Sequence, residues 1–107
     1  MLIFKEALLN ETGLMSMYLP FNNAEEAKKN ILKIGLQFGE PYMWYQALDK
    51  PKKEFLLICM GTGHNHPELL PEEYIGSEIV YDGEFVWHYF LVEREKLKKR
   101  LAKMYPA

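Results

Sequence analysis

The clearest periodicity lies over residues 31–38, where Leu32, Ile34, Leu36 and Phe38 alternate with Lys33, Gly35 and Gln37. Alternation with a period of two marks a strand with one buried face, so these four apolar side chains are expected to line the core together. Gly39-Glu40-Pro41 turns the chain, and 42–48 returns as a second strand in which Tyr42, Trp44 and Gln46 share a side. Residues 55–60 form a continuous apolar run, the pattern of an interior strand covered on both faces. Residues 74–81 and 84–93 flank Asp82-Gly83, a strong short-range hairpin signal. In the second arm Phe85, Trp87, Tyr89 and Leu91 alternate with Val86, His88, Phe90 and Val92. Both faces of that strand are apolar, so it is expected to be central or covered by a partner.

Residues 2–9 and 14–19 flank the turn-like Asn10-Glu11-Thr12-Gly13 and read as a further hairpin, although Glu6, Ala7 and Leu8 would equally suit a helix. Between 23 and 29 the signal is helical. Asn23 is placed to cap the amide of Glu26, the acids lead, and Lys28 and Lys29 trail. From residue 93 onward the period becomes helical again, with Leu97, Leu101 and Met104 at i, i+4 and i+7. Together these elements predict an α+β fold: about six or seven mainly antiparallel strands in a strongly curved sheet or small barrel, a short helix near 23–29 and a C-terminal helix. There are no internal repeats and no low-complexity linker. The expected organisation is a single domain over 1–107, with its core at 2–92 and a helical extension at 93–105.

Apolar residues make up 49 % of the 107-residue chain and charged ones 26 %, which suits one soluble packed domain. A domain of this size buries only about two-thirds of its unfolded surface. The apolar stripe of the last helix is therefore expected to serve a homo-oligomer, a dimer or higher. The single Cys59 gives no disulfide framework. Lys5 and Glu6 interrupt the apolar N-terminus at once, and no run approaches the about 20 apolar residues of a membrane span. The expected location is cytoplasmic. Residues 94–107 hold six bases and one acid, a net of +5, which leaves −7 on the rest of a chain whose total is −2. An acidic body argues against a nucleic-acid-binding sheet.

Candidate chemistry gathers after the run at 55–60, in Gly61-Thr62-Gly63-His64-Asn65-His66. Three readings stay open. Exposed amides of the glycines, with Thr62, His64 and Asn65 as donors, would cradle a phosphate or carboxylate. His64 and His66, at i and i+2 of an extended segment, would bind a metal with His88, Glu68 or Glu72. That pattern is similar to the His-x-His of cupins, but Glu72 lies one residue too far along and the upstream glycine is absent. Finally, the loop would be structural, with the histidines bonded to backbone. Neither a P-loop nor a dinucleotide fingerprint is present. Tyr42, Trp44 and Trp87 belong to a set of aromatics, with Tyr45, Tyr89 and Phe90, that would stack a base or adenine ring. Cys59, Ser16 and Ser77 lie in strands without a catalytic motif, leaving His64 and His88 as the acid–base candidates. No enzyme and no cofactor are expected.

The order of blocks I-L-K-I-G-L-Q-F-G-E-P-Y-M-W (31–44), G-T-G-H (61–64), Y-I-G (74–76) and W-H-Y-F (87–90) resembles a family of small uncharacterised proteins found largely in phages and prophages. The likeness runs over about residues 2–92. The resemblance implies a phage-encoded, non-catalytic binding protein that counters defence in the host cytoplasm. Its ligand would be a nucleotide-derived immune signal, held between Gly61, Thr62, Gly63, His64, Asn65 and the aromatics Tyr42, Trp44 and Trp87. The alternative is a protein–protein inhibitor of a host defence factor. A cupin-like metal-binding protein is the third reading.

Overall fold

Asn23 starts the first helix. Its backbone is extended, and its Oδ1 accepts the amide of Glu26 at 2.8 Å. The helix, α1 (Ala24–Asn30), buries Ala27 completely and leads straight into a strand. In the computed structural model, which describes residues 1–106, seven antiparallel strands form two open sheets. Strands β1 (Ile3–Ala7), β3 (Ile31–Gln37) and β4 (Glu40–Gln46) make the first sheet, with β4 in the middle. Strands β2 (Gly13–Leu19), β5 (Lys53–Gly61), β6 (Tyr74–Val80) and β7 (Phe85–Val92) make the second, in the order β2-β5-β7-β6. The second helix, α2 (Arg94–Met104), follows.

The inner faces of both sheets enclose one core. Met43 and Tyr45 from β4 meet Phe55 and Leu57 from β5 and Tyr89 and Leu91 from β7, each at most 1 % exposed. As the apolar runs predict, β5 and β7 are interior strands. The Asp82-Gly83 hairpin also forms, with Val80 opposite Phe85.

Two expectations give way. The segments around β1 and β2 are not a hairpin, since β1 pairs with β4 and β2 with β5. Long-range partners hold the intervening turn-like residues instead. Leu8 donates its amide to Pro41 O at 3.0 Å, and the Tyr89 hydroxyl donates to Leu9 O at 2.7 Å. Asn10 accepts from Trp87 Nε1 at 2.9 Å where the chain crosses from one sheet to the other.

Nor does the alternating face of β3 line the core as a unit. Leu32, Leu36 and Phe38 are 47 %, 42 % and 96 % exposed. β3 is an edge strand with a register shift between Ile31 and Lys33. Of the alternating set only Ile34 packs on the core, where it meets β6 at Gly76. A Cβ at Gly76 would lie 2.9 Å from Ile34 Cδ1, so this approach of the two sheet edges needs glycine.

The stripe on α2 is also used inside the chain. Leu97 and Leu101 cover Leu56, Ile58 and Val92 on the outer face of the second sheet. An ion pair fastens the helix there. Arg100 Nη1 donates to Glu73 Oε1 at 2.7 Å and to Glu68 O at 2.9 Å, while Nη2 bonds Glu73 Oε2. The same Glu73 carboxylate accepts the Leu70 amide at 2.9 Å.

Arg100→Ala should therefore destabilise the fold by about 1.5–3 kcal/mol, because it strips a charge-assisted pair from a buried carboxylate. Lys98→Ala, on the exposed side of α2, should leave the urea midpoint unchanged. Two further ion pairs make the fold sensitive to acid. Lys50, and then the Asn22 amide, hold the Glu26 carboxyl below its ordinary range, and Arg94 and then Ser16 do the same for Glu54. Depressed carboxylates stabilise the fold above their unfolded pKa, and that contribution is lost as pH falls through the folded value. Tm should accordingly fall on acidification below the usual carboxylate range. Lys50→Met should lower Tm at neutral pH and shrink that further fall.

Candidate functional site

The residues expected to form one site fall in two places. Gly61 closes β5, and Thr62, Gly63, His64 and Asn65 follow it as an exposed loop. This loop borders a cleft of about 550 Å³ lined by Thr12, Gly61, Thr62, His64, Phe85 and Trp87. Of the loop's donor side chains, Thr62 is held by a neighbouring strand. Thr62 Oγ1 lies 2.9 Å from His88 Nε2, and the Tyr74 hydroxyl lies 3.1 Å from His88 Nδ1. With both ring nitrogens engaged, His88 ties the loop to β6 and β7. Trp87 points to the core side. Its Nε1 is bonded to Asn10, and its ring lies flat on Phe85 at 5.5 Å and 7°. Its hydrogen bond and one stacking face are therefore already taken.

The histidines do not converge on a metal site. His66 Nδ1 sits 3.1 Å from Glu68 Oε1, and the rings of His64 and His66 are 6.2 Å apart. Among the described residues, no three His, Cys, Asp or Glu side chains group as metal ligands would. Cys59 is buried in the core, and burial pushes its thiol up to about 11, which leaves no thiolate to react at neutral pH.

Tyr42 and Trp44 lie elsewhere, on the outer face of the three-stranded sheet. Alternation along β4 puts Met43 and Tyr45 inside and leaves Tyr42, Trp44 and Gln46 half-exposed. The two rings are neighbours, with centroids 6.0 Å apart and tilted by 49°. Register supplies what the loop lacks. Trp44 stands opposite Lys5 on one side and Lys33 on the other, so lysine, tryptophan and lysine form one row across three strands. In the next row Ala7 and Gly35 flank Tyr42. These small residues leave room for the lysines to lean in.

Lys5 Nζ rests 4.7 Å from the Tyr42 ring centre and donates to Gln37 Oε1. Lys33 folds over Gly35, its Cε only 2.9 Å from where a Cβ on residue 35 would stand. Neither lysine takes part in any ion pair among the described residues. The carboxylate nearest this face in register is Glu40, at its far end opposite Gln37, and it accepts from Asn10 at 3.3 Å. Glu6 points inward, toward the Tyr45 hydroxyl at 3.2 Å. An acidic molecule thus carries a small cationic, aromatic platform, suited to a planar anion.

The polar side of β3 and the Tyr42-Trp44-Gln46 side of β4 are both visible as alternations. Lys5 and Lys33 escape notice because β4 as the shared partner of β1 and β3 is a long-range fact.

No curated protein and no solved structure matches this chain. One family does, over residues 23–100, a span that holds Lys33, Tyr42 and Trp44 and leaves out β1 with Lys5. Covering well over half of the sequence, that match makes the chain a member of the family described as a domain of unknown function, DUF7352.

Proposed function

We propose that this protein is a non-catalytic binding protein that captures a nucleotide-type ligand on the outer face of the three-stranded sheet. The observation that carries the reading is the row Lys5, Trp44, Lys33, with Tyr42 beside it. Aromatic rings on a sheet face accept a stacked base whatever its identity. Ammonium groups next to them that have no carboxylate partner attract phosphate. In the phage setting that the sequence blocks suggest, the ligand would be a nucleotide-derived immune signal, held in the host cytoplasm and kept from its receptor. The loop at 61–66 and Trp87 stand outside this site. Because the α2 stripe is covered within the chain, nothing in the proposal needs self-association.

Titration calorimetry with a panel of adenosine and guanosine nucleotides tests it. Trp44→Ala should weaken binding by about 1–3 kcal/mol with little change in Tm, since Trp44 is only half-buried. Trp87→Ala should instead lose about 3–5 kcal/mol of stability. A wild-type protein that binds no nucleotide, or a folded Trp44→Ala with unchanged affinity, ends this reading.

One observation favours the second reading, a blocker of a host defence protein. Phe38 sits at the tip of the β3–β4 hairpin, 96 % exposed, with φ of 53°. Tight hairpin turns with positive φ at both central residues prefer Asn or Gly at this place, and a bulky side chain there is strained. An exposed aromatic kept at such a cost suits an anchor for a partner's pocket. Phe38→Asn should raise stability by about 1 kcal/mol and abolish co-purification with a defence factor. A variant that still retains that factor rules out the anchor.

A further inference from the structure

The two lysines of the platform lean toward one spot. Lys5 crosses from β1 over the Tyr42 ring, its Nζ 4.7 Å from the ring centre, and reaches Gln37 on β3. Lys33 bends along its own strand over Gly35, its Nζ 3.6 Å from where a Cβ on that residue would stand. Gly35 and Tyr42 are cross-strand partners, and such positions lie about 4.5–5.5 Å apart. Both ammonium groups therefore hang above one residue pair. A single lysine stem lying along an aromatic ring is ordinary. Two like charges gathered over the same ring repel each other, and no carboxylate stands between them. Glu40, the nearest in register, accepts from Asn10 instead.

We propose that this spot holds one phosphate, shared by both ammonium groups, and that the ligand is a nucleotide ending in a phosphomonoester. The inference rests on the platform reading above and specifies which phosphate the platform takes. A terminal phosphate carries nearly two negative charges at neutral pH and three free oxygens. A phosphodiester carries one charge and offers two, so it matches a pair of lysines less well. Lys5 spends one of its three donors on Gln37 and keeps two for the anion. Gln37 accepts through Oε1, which leaves its amide NH2 free to donate to the same phosphate.

The spacing along β4 suits such a ligand. The Tyr42 and Trp44 ring centres lie 6.0 Å apart, a step that a ribose spans between a base on Trp44 and a 5′-phosphate above Tyr42. Gly35 is what admits the second lysine, because Lys33 Cε passes 2.9 Å from the place a Cβ would fill. Beyond the platform the first 93 residues carry −7, a field that opposes a long polyanion.

Calorimetry on the full chain with adenosine, adenosine 5′-monophosphate and adenosine 3′,5′-cyclic monophosphate tests this, together with NMR of the lysine side chains during addition of inorganic phosphate. The 5′-monophosphate should bind about tenfold more tightly than the cyclic diester, the gain from one added charge-assisted contact. Lys5→Met and Lys33→Met keep the apolar stem and remove the charge. Each should bring the monophosphate down to the level of the cyclic compound and leave adenosine unchanged. Both lysines are exposed, so both variants should keep the wild-type Tm. Equal affinity of the wild type for the monophosphate and the cyclic diester overturns the inference and leaves the platform standing. Loss of monophosphate affinity in only one of the two variants overturns the sharing, and with it the inference. A response of both lysines to inorganic phosphate, with no adenosine compound bound, upholds the shared phosphate site and removes the stacking platform. No response to any probe removes both.

Discussion

Two neighbouring strands with apolar residues on both faces must be kept from water on both sides, and the rest of the architecture answers that demand. The inner faces of β5 and β7 are closed off by the first sheet, through Met43 and Tyr45. Their outer faces would remain wet without α2 and the segment that precedes β6. Leu97 and Leu101 supply the cover, and the Arg100–Glu73 pair clamps it. Glu73 is bound by helix and turn at once, so the cover closes as one unit. The cationic tail of the sequence is thereby drawn into structure: one of its six bases is an internal fastener, and the others face solvent or neighbouring acids.

How far the chain betrays its fold follows from the range of the forces involved. Local signals read true. The Asn23 cap, the Asp82-Gly83 hairpin and the helical period after residue 93 depend on neighbours within a few positions, and all three appear in the structure. The failures are long-range. Asn10-Glu11-Thr12-Gly13 has the composition of a hairpin turn, yet Trp87 donates to Asn10 and Tyr89 to the carbonyl of Leu9 just before it. Leu32, Leu36 and Phe38 have the period of a buried face, but an edge strand with a bulge presents only Ile34 to its neighbour. Periodicity says which residues share a side; it does not say whether that side meets anything.

The same division runs through the site. Tyr42 and Trp44 stand out as aromatics on a half-polar strand, from residue type and spacing alone. Their lysines do not, because a lysine on an exposed strand face is ordinary until its cross-strand neighbour is known. The glycine-rich loop reads differently. Its composition suggests an anion cradle, and of its donor side chains Thr62 is drawn to His88, a partner that only the fold brings near.

The strand that carries Lys5 is also the least secured in the molecule. β1 is five residues long, lies at a sheet edge, pairs with β4 alone and is exposed along nearly its whole length. Segments of that kind open locally at a small fraction of the global unfolding free energy. A ligand held on the platform through Lys5 would tie β1 more firmly to the sheet, turning a frayed margin into a clasped one. Occupancy would then be written in amide exchange: protection would rise along β1 first, while the buried amides of β5 and β7 kept their pace.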